Sequence, residues 1–201
     1  GFTDYYTRLL TLRAGLLDLE GYIADYNRVL RKYWISPARN ETSQRVLKDF
    51  WRDRAVGRLP YQRGDILAHR WNARLKGETQ GRISLDRVMK DLLAEALERG
   101  TVVSPASIDR LVAAYLPGGI RDDIRRFVEE GRTVEPEPGA LGPCVSLHQE
   151  PYWTFELGFQ WAPSRESRTI VGLDPGSAAF RAGLREGQRL RGWDIHRGQS
   201  H

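Results

Sequence analysis

Apolar positions in the first two thirds of the chain recur at helical spacing. Tyr5, Tyr6, Leu9, Leu10 and Leu12 predict a first helix, capped at Thr3 or Asp4 and interrupted at Gly15. Leu19, Tyr22, Ile23, Tyr26, Leu30 and Tyr33 make one face of a second helix that opens at Asp18. Ser36-Pro37 stops it, because the residue before a proline avoids the helical region. Ser43 predicts the cap of a short helix through Val46, Leu47 and Phe50. A loop marked by Gly57 and Pro60 then leads into a helix from about Tyr61 to Leu75, ended by Gly77. Ser84 predicts the N-cap of the cleanest amphipathic helix, with Leu85, Val88, Met89, Leu92, Leu93 and Ala96 in one stripe and Gly100 at its end. Ser104-Pro105 is a further start signal, and Pro117-Gly118-Gly119 a stop. A last helix uses Ile120, Ile124, Phe127 and Val128 and closes at Gly131.

The pattern then changes. Glu135-Pro136-Glu137-Pro138-Gly139 has no helical period and reads as an extended linker. Beyond it, Phe155 to Trp161 and Arg168 to Leu173 predict strands. Asp174-Pro175-Gly176-Ser177 predicts a turn into a short helix, Ala178 to Ala182. The expected organisation is a helical domain over 1–132, a linker over 133–150 and a small β-containing domain over 151–201: mainly α, then α+β. No internal repeat or low-complexity tract interrupts it.

Composition narrows the function classes. With 40% hydrophobic and 28% charged residues, the chain can build a core, which excludes global disorder. The 31 Lys and Arg against 26 Asp and Glu give a net charge of +5. These charges are interleaved, as in Arg121-Asp122-Asp123 and Arg125-Arg126, and form no dense basic stripe, so no nucleic-acid partner is expected. Cys144 is the single cysteine, which excludes an intramolecular disulfide and a cysteine-based metal cage. No apolar run approaches the roughly 18–20 residues of a membrane span, and no signal peptide is evident.

Three segments, in order, resemble the glycyl aminopeptidases, a family of gluzincin zinc peptidases. The first is Gly1-Phe2-Thr3-Asp4-Tyr5-Tyr6-Thr7-Arg8-Leu9-Leu10 with Leu12-Arg13-Ala14-Gly15-Leu16, which looks like the helix just after that family's third zinc ligand. In the family a Glu directly precedes this Gly-Phe-Thr, and the HExxH that supplies two His ligands and a general-base Glu lies further upstream. This chain begins at Gly1, and its histidines, His69, His148, His196 and His201, include no HExxH spacing. The second segment, Leu59-Pro60-Tyr61-Gln62-Arg63-Gly64, resembles the family's Tyr-x-Lys-Gly at a helix start, with Arg63 where Lys is usual. The resemblance implies that Tyr61 donates its hydroxyl to a developing oxyanion, a role that contributes on the order of 3 kcal/mol to a barrier. Read from the residues alone, Tyr61 is a tyrosine half-packed at a helix start. The third segment, Ser84 to about Leu141, resembles the family's closing helices through Ser84 to Met89, Gly118-Gly119 and Phe127 to Gly131.

The end of the chain resembles a PDZ domain. Glu156-Leu157-Gly158-Phe159 looks like the loop that binds a peptide's C-terminal carboxylate, making Leu157, Gly158 and Phe159 the candidate peptide-binding residues. A bound peptide would pair with a strand from about Phe159 to Ala162. The run from Thr169 to Leu190 follows the PDZ order of strand, Pro-Gly-Ser, Ala-Gly-Leu and a Gly turn. The chain ends at His201, after Trp193-Asp194-Ile195 and short of the second helix and final strand, so the expected PDZ-like domain is truncated.

Other constellations are weaker. Cys144 and His148 are four apart in a loop flanked by Pro and Gly, with no orienting acid. His69 sits on a helix as a packed or surface residue. Asp4, beside Tyr5 and Tyr6, is a helix-start acid or, one turn past the Glu that the resemblance implies, a neighbour of the zinc cleft in the intact enzyme.

The resemblance therefore implies the C-terminal fragment of a zinc-dependent aminopeptidase that cleaves peptide substrates at their N-termini. Zinc is expected in the intact protein and none in this chain, which alone should be inactive. The alternative is a non-enzymatic peptide-binding or scaffold protein that uses the same helical lobe and PDZ-like module.

Overall fold

The computed structural model describes residues 1–100, 102–151 and 156–192. The chain divides into two compact units, Gly1–His148 and Gln149–His201.

The first unit is helical. α1 (Phe2–Arg13), α2 (Leu19–Trp34), α3 (Ser43–Asp49) and α4 (Arg54–Glu78) are followed by α5 (Leu85–Arg99), α6 (Pro105–Ala113) and α7 (Arg121–Asp123). The last of these widens directly into a π-helical turn over Ile124–Glu129. α4 is the hub, packed against α1, α2, α3 and α5. Val56, Leu59, Ile66, Leu67, Ala68, Trp71 and Leu75 are all buried along it. A helix covered on most sides loses its polar face, so its amphipathic signal is weak. Tyr26 and Tyr33 of α2, Leu85 and Val88 of α5, and Val112 and Ile120 complete the core around it.

Local chemistry sets the helix ends. Asp18 accepts the Gly21 N–H at 2.7 Å to open α2, and Ser104 with Ser107 forms a capping box at α6. Thr42, not Ser43, caps α3 by accepting the Arg45 N–H. Ser84 occupies the N-cap position of α5, but its side chain makes no capping bond; Asn72 of α4 accepts the Leu85 N–H at 3.0 Å instead. α4 starts at Arg54, capped by Asp53, and includes the stretch expected to be a loop. Gly57 is there for close approach: a Cβ would lie 2.4 Å from the Phe50 carbonyl oxygen. Pro60 sits inside this helix at the cost of one backbone N–H donor.

The acidic, proline-rich segment after residue 132 is extended, as its composition requires, yet tied down. Val134 is fully buried and donates its N–H to the Tyr33 hydroxyl at 2.8 Å. Arg70 pairs with Glu137, and Leu141 packs on the helical core.

The second unit corrects the expected fold class. Among its described residues there is no strand and no sheet, only two short helices joined by turns, so a truncated PDZ-like β domain is not seen and the chain as a whole is mainly helical. A single antiparallel bridge joins Thr169 to Arg189. Around it, Ile170 donates to the Gln188 carbonyl and Leu190 to the Arg168 carbonyl, both at 2.8 Å. The pairing spreads no further because Arg168 (φ 55°) and Gly172 (φ 67°) turn the backbone out of the extended region on either side. The first expected strand fails for another reason. Phe155 lies outside the described residues, and Trp161 begins a helix, α8 (Trp161–Ser167). Pro163 cannot donate to a ladder but fits a first helical turn. α9 (Ala178–Arg181) forms where a short helix was expected, with Ser177 accepting the Phe180 N–H at 3.1 Å. Trp193-Asp194-Ile195 falls outside the described residues. Among the described residues no helix is long and apolar enough to cross a membrane.

Candidate functional site

The site is built where α1 crosses α4. Gly1 and Gly64 meet at backbone distance: a Cβ added to Gly1 would lie 2.5 Å from the Gly64 Cα. Farther along the two helices, Arg8 and Asp65 fasten the crossing. The Arg8 Nη2 donates to both carboxylate oxygens of Asp65 at 2.6 Å, and both residues are buried. The Arg8 guanidinium also lies 5.5 Å from the Tyr22 ring centroid and 5.6 Å from that of Tyr26.

One turn farther on α4, His69 is 2% exposed. Its Nδ1 faces the Asp65 carbonyl at 2.9 Å, and a carbonyl can only accept, so Nδ1 carries the proton. In the neutral imidazole Nε2 is then the acceptor, and the Tyr22 hydroxyl donates to it at 2.8 Å. Tyr26 stacks on the imidazole at 4.0 Å and Tyr5 meets it edge-on at 4.7 Å. Burial pushes the Tyr22 hydroxyl above its ordinary pKa, with Arg8 opposing, and burial raises Tyr5 and Tyr26 as well. His69 is therefore a packed core histidine with both nitrogens engaged.

Above this cluster lies an open cleft of about 650 Å³ between α1, α2 and α4. Tyr61, Asp4, Arg8, Lys32, Arg58 and Asp65 are among its walls. Tyr61 is 51% exposed and lies inside α4 rather than at its start. Its ring leans on Phe50, with centroids 6.4 Å apart. Asp4 lines the same cleft, 3.9 Å from the Gly1 amino group. Arg63, the residue standing where Lys is usual, has a different task. It is buried, and its Nη2 donates to the carbonyls of Arg39 at 2.9 Å and Glu41 at 2.8 Å. It clamps the loop before α3, and burial lowers its pKa.

The described residues bear directly on the zinc that the resemblance implies. They contain no group of three or more His, Cys, Asp or Glu able to hold a metal ion. Asp65 spends both oxygens on Arg8, and His69 spends both nitrogens on Tyr22 and Asp65. These residues do not fit a metal.

The remaining candidates lie elsewhere. Leu157, Gly158 and Phe159 belong to the second unit. Gly158 has φ of 74°, and a Cβ there would stand 2.5 Å from the Ser177 Cβ. Its carbonyl accepts the Asp174 N–H at 2.8 Å, so the loop is folded onto the Asp174–Ser177 turn. The strand from Phe159 to Ala162 that would pair with a peptide is cut short by α8 at Trp161. Cys144 is exposed and free, and His148 bonds to the Ser146 hydroxyl at 2.8 Å rather than to a thiol.

Sequence reasoning missed Arg8, Lys32, Arg58 and Asp65. One signal was in view: Asp65 and His69, four apart, interrupt the apolar run of α4. Two polar residues on one face of a buried helix must find partners inside the fold. No protein-family model matches the chain, and no curated protein matches it.

Proposed function

We propose that this chain is the C-terminal part of a zinc-dependent aminopeptidase, with Tyr61 as the donor that stabilises the oxyanion. The observation that carries the reading is the Gly1–Gly64 contact. It brings the N-terminal end of α1 onto α4 one turn from Tyr61, although the two are far apart in sequence. The resemblance assigns the residue before Gly1 to the metal site and Tyr61 to the oxyanion, and these two roles require nearness in space. Tyr61 is also exposed enough, in an open cleft, for its hydroxyl to reach a substrate carbonyl. A neutral phenol is a donor at neutral pH and gains strength as negative charge builds on the acceptor.

The test compares the 201-residue chain with a polypeptide extended upstream through an HExxH segment. The longer polypeptide should bind about one zinc and release N-terminal residues from peptides, and Tyr61→Phe should lower its kcat by about 10²–10³ with zinc content unchanged. If the longer polypeptide neither binds zinc nor cleaves peptides, the reading fails. The lobe then serves binding without chemistry.

A further inference from the structure

Ion pairing inside the Tyr61 cleft leaves an excess of positive charge. Arg8 is committed to Asp65 at 2.6 Å and Arg28 to Asp25 at 2.9 Å. Asp4 offsets one of the remaining cations. Lys32 of α2 and Arg58 of α4 line the same cleft, are exposed, and enter no ion pair among the described residues. They stand on two different walls. Lys32 continues the α2 face of Asp25, Arg28 and Val29, and Arg58 continues the α4 face of Tyr61, Gln62 and Asp65.

The rest of the lining decides the ligand class. Leu16, Leu17, Val29 and the Tyr61 ring give the cleft an apolar side. A polyphosphate has no use for apolar walls and would meet the carboxylates of Asp4 and Asp25. A peptide supplies both apolar and charged side chains, and about 650 Å³ is room for a few residues. We propose that this cleft takes peptides bearing an acidic side chain, whose carboxylate is held between Lys32 and Arg58. The inference deepens the peptidase reading and rests on it for the choice of a peptide as ligand.

Exposed ion pairs are individually weak, so the cations confer preference rather than tight binding, about threefold to tenfold between acidic and neutral peptides. The test is an anisotropy titration of the 201-residue chain. It uses two pentapeptides carrying an uncharged dye and an amidated C-terminus, one with two glutamates and one with two glutamines. The acidic peptide should bind threefold to tenfold more tightly at low salt, and about 1 M salt should erase the difference. Lys32→Glu combined with Arg58→Glu should abolish or invert the preference. Both side chains are exposed, so circular dichroism should show the fold intact. Equal affinities, no binding of either peptide, or a preference that survives charge reversal would overturn the proposal. Because this readout needs no catalysis, its failure is separable from that of the peptidase reading. An inactive longer polypeptide with the acidic preference intact sinks only the latter.

Discussion

Gly1 and Gly64 touch through their backbones, with no room for a side chain between them. A Cβ on Gly1 would stand 2.5 Å from the Gly64 Cα, and one on Gly64 would stand 3.1 Å from the Gly1 Cα. The contact fixes how far α1 descends onto α4 and thereby the depth of the cleft beside Tyr61.

A large side chain at residue 64 must therefore push α1 away. Gly64→Leu should destabilise the chain by about 1–3 kcal/mol, the usual cost of overpacking a close contact. Gly77, also in α4, has nothing within 4 Å of its virtual Cβ. Gly77→Ala should stabilise by about 0.5 kcal/mol through helix propensity alone. Urea unfolding midpoints for the two variants check both signs, and a neutral Gly64→Leu would show that the crossing is not tight.

The Arg8–Asp65 pair should be costly to break and cheap to replace. Asp65→Ala leaves a buried guanidinium without its carboxylate and should cost about 3–5 kcal/mol. Arg8→Met with Asp65→Leu removes both charges and should recover most of that loss. Denaturant unfolding of the single and double variants measures the difference. Equal stability of the two would place the cost in lost packing rather than in the stranded charge.

Four tyrosines make the helical unit sensitive to alkali. Burial raises the hydroxyls of Tyr5, Tyr6, Tyr22 and Tyr26 above their ordinary values near 10. Above that pH the unfolded chain releases protons that the folded chain retains. Stability is thus fully present below about pH 10 and falls as pH rises toward the folded-state values. Absorbance titration near 295 nm should show these four of the eight tyrosines ionising only as the chain unfolds. Early titration of all eight would contradict the burial.

Much of the helical unit was legible in the spacing of apolar residues, because α2 and α5 each turn one apolar face to the core. The α4 N-terminus was not. Gly57 and Pro60 look like loop signals, and only the nearby Phe50 carbonyl explains why a glycine belongs in that helix. The cap of α5 was hidden for a similar reason, since its donor comes from Asn72 on another helix. In the second unit the motif from Thr169 to Leu190 carries turns and a short helix, and those formed. The strands did not, because positive φ at Arg168 and Gly172 and the proline at 163 limit how far any ladder can extend. Tyr61 was singled out by resemblance, whereas Lys32 and Arg58 meet only through the packing of α2 on α4, and nothing in the sequence joins residues on two helices to one cleft.

Two substitutions in α4 separate chemistry from packing. Tyr61 is half exposed and its hydroxyl has no hydrogen bond among the described residues, so Tyr61→Phe should change stability by less than about 0.5 kcal/mol. If the hydroxyl serves the oxyanion, the same change in the longer polypeptide lowers kcat and leaves KM nearly unaltered, the signature of an interaction made only in the transition state. Arg63→Lys should behave in the opposite way. Both bonds leave one guanidinium nitrogen held in place by the planar group, and a more strongly hydrated ammonium on a flexible stem loses more on being buried there, so about 1–2 kcal/mol of stability should be lost. Its effect on kcat should be small, since Arg63 points at the loop before α3 and not into the cleft. Kinetics and urea unfolding on both variants give four numbers. A Tyr61→Phe variant with full activity would reduce Tyr61 to the half-packed tyrosine that its residues alone suggest.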